Sequence, residues 1–328
     1  MTGWKKRSGI IRLVMPFYWR FAIVVYCLST VMLAQQPFFT SGIDIVHVGI
    51  TVLDRDGRPV ADLTAADFEL LEDGHVQEVS YFSHGLESDA ETMPLHLGLL
   101  LDSSGSMGRD DRFQKTAAIK FLNAITYAVD TTVVDFDTEV RVARYRQDDY
   151  HRMIERIRSR KPEGDTALYD ALGVYLDGIF EEDGRKILVL YTDGEDTRSR
   201  LSFNDAGDLL RASDVTVYAI GLQKNMRATA RQRQRMLLGQ LTDITGGRCY
   251  FPDSIDELDE IYQEISTELN SRYSIGFIST NSKTDGTWRK LEIRLKSSRN
   301  ELHRADVRAR EGYFAAYIDS DSDSGSRR

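Results

Sequence analysis

Hydroxyl and carboxylate side chains follow apolar or loop segments at three places in the 328-residue sequence. Asp102, Ser104 and Ser106 occupy alternate positions of one turn, Thr166 lies in a loop before a helical stretch, and Asp193 ends an apolar run. Oxygen ligands of this kind suit a hard cation such as Mg²⁺, which prefers octahedral geometry. A turn rich in Ser and Asp is common by itself, so the hypothesis of a metal site depends on whether the three segments meet.

The elements between residues 93 and 272 are predicted to bring these segments together. Apolar runs alternate there with helical stretches, a pattern typical of a parallel sheet covered by helices. The apolar runs cover residues 95–101, 132–136, 186–192, 215–222 and 248–251, and helical spacing covers residues 113–128, 168–179 and 254–269. In a doubly wound sheet the carboxyl ends of the strands share one edge, so we expect Asp102 and Asp193 to converge there with Thr166 above them.

The predicted fold is α/β, a doubly wound and mostly parallel sheet with helices on both faces, plus a small flanking β-sandwich. Residues 43–86 and 273–316 have the texture of short strands, with the turn pairs Asp56-Gly57 and Asp285-Gly286 between them. We expect these two segments to pair with each other, so that the α/β unit is inserted between the two halves of the sandwich. The last segment, residues 317–328, is rich in Ser and Asp and is predicted to be disordered.

The first 34 residues have the layout of a secretory signal. They contain five cations and no acidic residue, and they end in an apolar run at residues 21–34. The run is shorter than the roughly 20 residues of a membrane-spanning helix, which favours a cleaved signal. Because Met32 is bulkier than the residue preferred two places before a cleavage site at Ala34, an inner-membrane anchor at residues 21–34 is the alternative. We therefore expect a periplasmic, cell-surface or secreted protein.

Composition and charge argue against several classes of protein. A hydrophobic content of 41% and a charged content of 28% are typical of a soluble globular chain and argue against wholesale disorder. Loss of the leader, with its five cations, would take the formal net charge from −9 to −14, so nucleic acid is not an expected partner. Of the two cysteines, Cys27 lies in the leader, and Cys249 alone cannot form an internal disulfide.

The set formed by Asp102, Ser104, Ser106, Thr166 and Asp193 resembles the metal-ion-dependent adhesion site of the von Willebrand factor type A (VWA) family. The flanking segments 68–74 and 310–314 resemble the bacterial group of VWA-related proteins. The resemblance implies that the hydroxyls ligate Mg²⁺ or Mn²⁺ directly and that the aspartates act largely through water or hydrogen bonds. It also implies that a glutamate or aspartate of a protein partner takes an open coordination position.

The sequence therefore predicts an exported, non-enzymatic adhesion module that binds a protein through a metal ion. A membrane would be contacted only through an uncleaved leader. One alternative is a structural scaffold in which the metal mainly stabilises the fold. A second alternative is a phosphatase of the haloacid dehalogenase type, because residues 133–138 match its hydrophobic-Asp-x-Asp-x-Thr motif with Asp135 as nucleophile and Asp137 as acid or base. That motif should open its domain, whereas a whole strand and helix precede it here.

Overall fold

A computed structural model describes residues 45–85, 93–193, 195–224, 226–296, 302 and 304–317. The predicted leader lies outside these residues. Within them, no helix is long and apolar enough to cross a membrane. Of the predicted tail, Tyr317 forms an isolated bridge with Asp285, and residues 318–328 lie outside the described part of the chain.

The described part of the chain contains strands, which form three sheets, and helices. The strands are β1 (Ile45–Leu53), β2 (Phe68–Glu72), β3 (His75–Gln77), β4 (Val79–His84), β5 (Leu95–Asp102), β6 (Asp130–Phe136), β7 (Val140–Arg146), β8 (Arg185–Thr192), β9 (Thr216–Gly221), β10 (Arg248–Tyr250), β11 (Tyr273–Ile278), β12 (Trp288–Leu295), β13 (Asp306–Arg308) and β14 (Gly312–Phe314). The helices are α1 (Asp111–Ala124), α2 (Tyr150–Ser159), α3 (Leu168–Ile179), α4 (Phe203–Ala212), α5 (Ala228–Ile244) and α6 (Ile255–Asn270).

The central sheet has six strands in the order β10-β9-β8-β5-β6-β7. Every neighbouring pair is parallel except β6 and β7, which are antiparallel. This arrangement confirms the predicted α/β fold with a mostly parallel sheet. Strand β7 was not predicted from the sequence. This edge strand alternates exposed and half-buried residues and contains three arginines, so it lacks the continuous apolar run of a central strand.

Helices cover both faces of the central sheet because its strands alternate their side chains between two cores. On β5, Leu99 and Leu101 face a core shared with α1, α2 and α6, whereas Leu100 faces a core shared with α3, α4 and α5. All eight residues of β5 are buried, and β5 and β8 are the two middle strands of the six-stranded sheet. This position places the end of β5 in the middle of the sheet edge.

The strands on either side of the α/β unit form two antiparallel sheets of four strands each. One has the order β13-β1-β11-β4 and the other β14-β12-β2-β3, so each sheet takes strands from both flanking segments. Their shared core contains Ile50, Phe68 and Phe277. The fully buried Tyr273 fixes the connection after β1, because its hydroxyl donates a hydrogen bond to the Val60 carbonyl at 2.7 Å.

Candidate functional site

Two neighbouring strands deliver the two aspartates to the same edge of the central sheet. Asp102 is the last residue of β5, and Asp193 follows the last residue of the adjacent strand β8. Asp102 is buried, with 1% of its surface exposed, whereas Asp193 is half-buried. Both carboxylates therefore lie where parallel strands end, as the strand order of a doubly wound sheet requires.

The turn after β5 points its two serine hydroxyls toward one another. The Ser104 N–H donates a hydrogen bond to Oδ1 of Asp102 at 3.0 Å, which closes the turn around the carboxylate. The hydroxyl oxygens of Ser104 and Ser106 are 3.0 Å apart. Ser106 itself lies in a short 3-10 helix, Gly105–Arg109, whose buried Met107 anchors the turn to the core. Alternate positions of the turn thus present oxygen atoms on one side.

The loop that carries Thr166 is hydrogen-bonded to this turn. The Gly105 N–H donates to the Gly164 carbonyl at 3.0 Å, and the Glu163 N–H donates to the Ser103 carbonyl at 2.8 Å. Gly164 has a φ of 72°, and a β-carbon there would overlap the Thr138 hydroxyl, so the loop needs glycine at this position. These contacts hold Thr166, which is 4% exposed, beside the serine turn.

The segment after Asp193 is hydrogen-bonded to the loop that carries Thr166. The N–H groups of Thr197 and Arg198 donate to the Thr166 carbonyl at 2.9 and 3.0 Å, and the Thr166 N–H donates to the Thr197 hydroxyl at 3.0 Å. Ser106 also forms a side-chain hydrogen bond with Asp193. The structure therefore brings all five residues singled out in the sequence to one place.

The electrostatics of this place favour a cation. Burial, and then the negative charge of Asp193, raise the pKa of Asp102 to about 7. Burial also raises the pKa of Asp193, against the hydrogen bond from Ser106. Oδ1 of Asp193 is buried and has no hydrogen-bond partner among the described residues. Buried neighbouring carboxylates with an unpaired oxygen are stabilised by a positive ion, so the residues present fit a hard divalent metal.

Thr192, which was not among the residues predicted from the sequence, also contacts the site. The Thr192 hydroxyl donates a hydrogen bond to Oδ2 of Asp102 at 2.6 Å and thereby fixes the orientation of that carboxylate. The side-chain amide of Gln234 donates to the Thr192 carbonyl at 3.2 Å. A β-branched residue at the end of a buried strand is typical of a core position, so the sequence carried no signal that distinguishes Thr192 from its apolar neighbours.

Comparison with known protein families shows the family of this chain. The sequence model of the von Willebrand factor type A domain matches residues 96–264. The chain belongs to this family. VWA domains are generally protein-interaction and adhesion modules and are typically non-enzymatic. The match begins within β5 and ends within α6, so it covers the α/β unit and all five site residues.

Solved structures similar to this chain include other VWA-type proteins. A von Willebrand factor type A protein from Catenulispora acidiphila has 13% identity and a TM-score of 0.44, and the match covers 89% of this chain and 78% of that one. The conserved hypothetical protein BatB from Bacteroides thetaiotaomicron has 16% identity and a TM-score of 0.44 over 53% of this chain and 98% of that one. The pilus adhesin SpaC from Lactobacillus rhamnosus GG has 10% identity and a TM-score of 0.47, and the match covers 83% of this chain and 50% of that one. No curated protein matched the sequence.

The two aspartates of the phosphatase alternative lie in ion pairs within the VWA domain. Nε of Arg156 donates to Asp135 at 2.8 Å, and Nη1 of Arg141 donates to Asp137 at 3.0 Å. Burial raises the pKa of Asp137, but hydrogen bonds from the Glu139 N–H and from Arg141 outweigh it and lower the pKa overall. Carboxylates that are paired with arginine are poor nucleophiles and poor proton donors, so this geometry does not favour the phosphatase.

Two depressions border the site of the VWA domain. A cleft of about 310 Å³ borders Asp193 and is also lined by Glu195 and Asp196. A wider groove of about 780 Å³ is lined by Thr138 and Ala167, the residue after Thr166.

Proposed function

We propose that this chain is a metal-ion-dependent protein-binding module. Asp102, Ser104, Ser106, Thr166 and Asp193 would hold Mg²⁺ or Mn²⁺. The observation that carries the proposal is the unpaired, buried Oδ1 of Asp193 beside the carboxylate of Asp102, whose pKa is raised to about 7. Removing one charge from such a pair by protonation, or neutralising both with a cation, relieves the repulsion. The hydroxyls that surround the pair make the cation the better fit.

The ion would supply a positive charge and an open coordination position for a glutamate or aspartate of a protein partner. The chain's own residues would control the charge of the ion and the orientation of the carboxylate of Asp102. Serine and threonine hydroxyls are neutral, so they leave much of the charge unquenched for an incoming carboxylate. Thr192 and the Ser104 N–H hold both oxygens of Asp102, which keeps this carboxylate directed at the site.

We also propose that the protein acts outside the cytoplasm, in the periplasm, on the cell surface or after secretion. The support is the sequence of residues 1–34, with five cations before an apolar run. The acidic mature chain argues against nucleic acid as the partner. The proposed ligand is therefore an exported or surface protein that presents an acidic side chain.

Calorimetric titration of the full-length protein with Mg²⁺ and Mn²⁺ tests the site. The parent should bind one ion, and Ser104→Ala should weaken binding by at least about tenfold because a direct ligand is lost. Ser103→Ala is the matched control, since Ser103 lies in the same turn but between the proposed ligands. Equal affinities for the two variants, or no binding to the folded parent, would remove the basis of the proposal.

The scaffold alternative makes a different prediction for Asp102→Ala. If the metal only stabilises the fold, this variant should lower the melting temperature and leave binding of a carboxylate peptide intact at temperatures where it is folded. In the proposed function, the folded variant loses the peptide as well. Peptide binding of the folded variant therefore separates the two functions.

A further inference from the structure

The groove beside Thr166 carries two arginines on its wall. Arg198 and Arg200 line it and are exposed to solvent. Their backbone is firmly held, because the Arg198 N–H donates to the Thr166 carbonyl and the Arg200 N–H donates to the carboxylate of Asp170 at 3.0 Å. The arginine side chains are therefore displayed from a fixed segment that is bonded directly to the proposed metal loop.

These two guanidinium groups have no ionic partner in the described part of the chain. Among the described residues, the backbone N–H groups of Arg198 and Arg200 form hydrogen bonds, whereas their side chains form none. Two acidic residues line the groove. The carboxylate of one of them, Asp170, already accepts hydrogen bonds from the N–H groups of Arg200 and Leu201. Asp177 lies two turns further along α3, roughly 10 Å away along the helix axis. The end of the groove near the metal loop is therefore open to an incoming anion.

The cleft that borders Asp193 differs in charge from the groove. Glu195 and Asp196 line this cleft. Its basic residue, Arg233, forms an ion pair with Glu195, with 3.9 Å between Nη1 and Oε1. An acidic segment would be repelled by that cleft and attracted by the arginines of the groove. The floor of the groove is partly apolar, with Val140, Val174 and Leu201 among its lining residues, so it can also contact the stem of a side chain.

We propose that this groove binds a second acidic side chain of the same partner peptide whose first carboxylate reaches the metal. This inference rests on the proposed function. The backbone nitrogen of Arg198 is 3.0 Å from the carbonyl oxygen of Thr166. A short extended peptide that starts at the metal can therefore reach the guanidinium groups. At about 3.3–3.6 Å per residue, the second acid should follow or precede the first by roughly two to four residues. The partner is thus a protein segment with two spaced acidic residues.

Binding of synthetic peptides to the full-length protein in Mn²⁺ tests the inference. The probes are a blocked glycine peptide with one glutamate and a series with a second glutamate one to five residues away. We expect the second glutamate to tighten binding about threefold to fivefold at the favoured spacing, which is the upper part of the range for exposed arginine–carboxylate pairs. The double variant Arg198→Gln/Arg200→Gln should lose this gain while keeping the affinity for the single-glutamate peptide and for Mn²⁺.

Two further variants separate the groove from overall charge. Arg198→Lys/Arg200→Lys keeps both charges and should retain most of the gain. Arg227→Gln/Arg231→Gln removes two exposed arginines outside the groove, at the start of α5, and should leave the gain unchanged. A second glutamate without effect, or a gain that persists in Arg198→Gln/Arg200→Gln, would overturn the inference while leaving the metal site intact. Failure of the parent to bind Mn²⁺ would overturn the proposed function and this inference together.

Discussion

Thr192 is the residue whose contact with the site is easiest to isolate. Its hydroxyl holds Oδ2 of Asp102 at 2.6 Å, while its backbone is part of β8. Thr192→Val keeps the shape and the strand preference of the residue but removes the hydrogen bond. We expect the affinity for Mn²⁺ to fall about tenfold or more, as is typical when a partner that orients a ligand is lost.

Calorimetry of Thr192→Val beside Thr216→Val provides the comparison. Thr216 is also a buried threonine of the central sheet, at the start of β9, far along the strand direction from the edge that carries Asp102. It should leave the affinity for Mn²⁺ unchanged. Equal affinities for Thr192→Val and the parent would show that Asp102 does not need this contact.

The raised pKa of Asp102 predicts how the metal-free protein responds to pH. Its pKa is raised from 3.8 to about 7, so the folded protein binds a proton at this group more tightly than the unfolded chain does. In this window the group's contribution to the free energy of unfolding is largest at low pH and decreases as pH rises from about 4 to about 7. Metal affinity should show the opposite trend, since the ion competes with that proton.

Urea unfolding in chelator at pH 5 and pH 7.5 measures this contribution. Asp102→Asn removes the titrating group, so the parent should lose more stability between the two pH values than the variant does. The same loss in both proteins would mean that Asp102 is not the group responsible. Calorimetry of Mn²⁺ binding at the two pH values gives the second trend.

Gly98 shows, at the scale of the elements, how tightly β5 packs against α3. A β-carbon at Gly98 would overlap the ring of Tyr175, which is fully buried. Gly98→Ala should therefore destabilise the fold by about 1–3 kcal/mol through overpacking. Gly178→Ala is the matched control on α3, where an added methyl group meets open space and should stabilise the helix by about 0.5–1 kcal/mol.

Denaturant unfolding of the two alanine variants gives both values. A Gly98→Ala protein as stable as the parent would mean that Tyr175 can move away at little cost. In that case β5 would be less rigidly placed than the geometry of the site requires.

The element level is also where sequence reasoning was strongest. Continuous apolar runs predicted the central strands, and the rule that parallel strands end at one edge correctly placed Asp102 near Asp193. Edge strand β7 was missed because half of its residues face solvent. Thr192 and the groove arginines were missed for a different reason: their roles depend on which way a side chain points after folding, and spacing along the chain does not encode that direction.

Glu268 connects the parts of the whole molecule. It is 2% exposed on α6, and its Oε1 accepts the hydroxyl of Thr51 from β1 at 3.2 Å and that of Tyr218 from β9 at 2.8 Å. One carboxylate therefore joins the β-sandwich, the central sheet and the last helix. Glu268→Ala leaves two buried hydroxyls without this acceptor, at a cost of about 1–3 kcal/mol for each group.

Urea unfolding of Glu268→Ala should give a clear loss of stability, and Glu268→Gln, which keeps a carbonyl acceptor, a smaller one. Glu260→Ala, at an exposed position on the same helix, should change the free energy of unfolding by no more than about 0.5 kcal/mol. If Glu268→Ala matched Glu260→Ala, the bonds between the sandwich and the central sheet would contribute little to the fold.

In the proposed function, five side chains hold one cation, and this cation binds a carboxylate of the partner. A crystal structure of the protein grown with Mn²⁺ and a glutamate peptide tests this function most directly, because anomalous scattering locates the metal. We expect a single strong peak beside the hydroxyls of Ser104, Ser106 and Thr166, with a peptide carboxylate oxygen in contact with it. A fully occupied peptide with no metal at this edge, or a metal peak elsewhere, would show that the carboxylate is not bound through a metal at these residues.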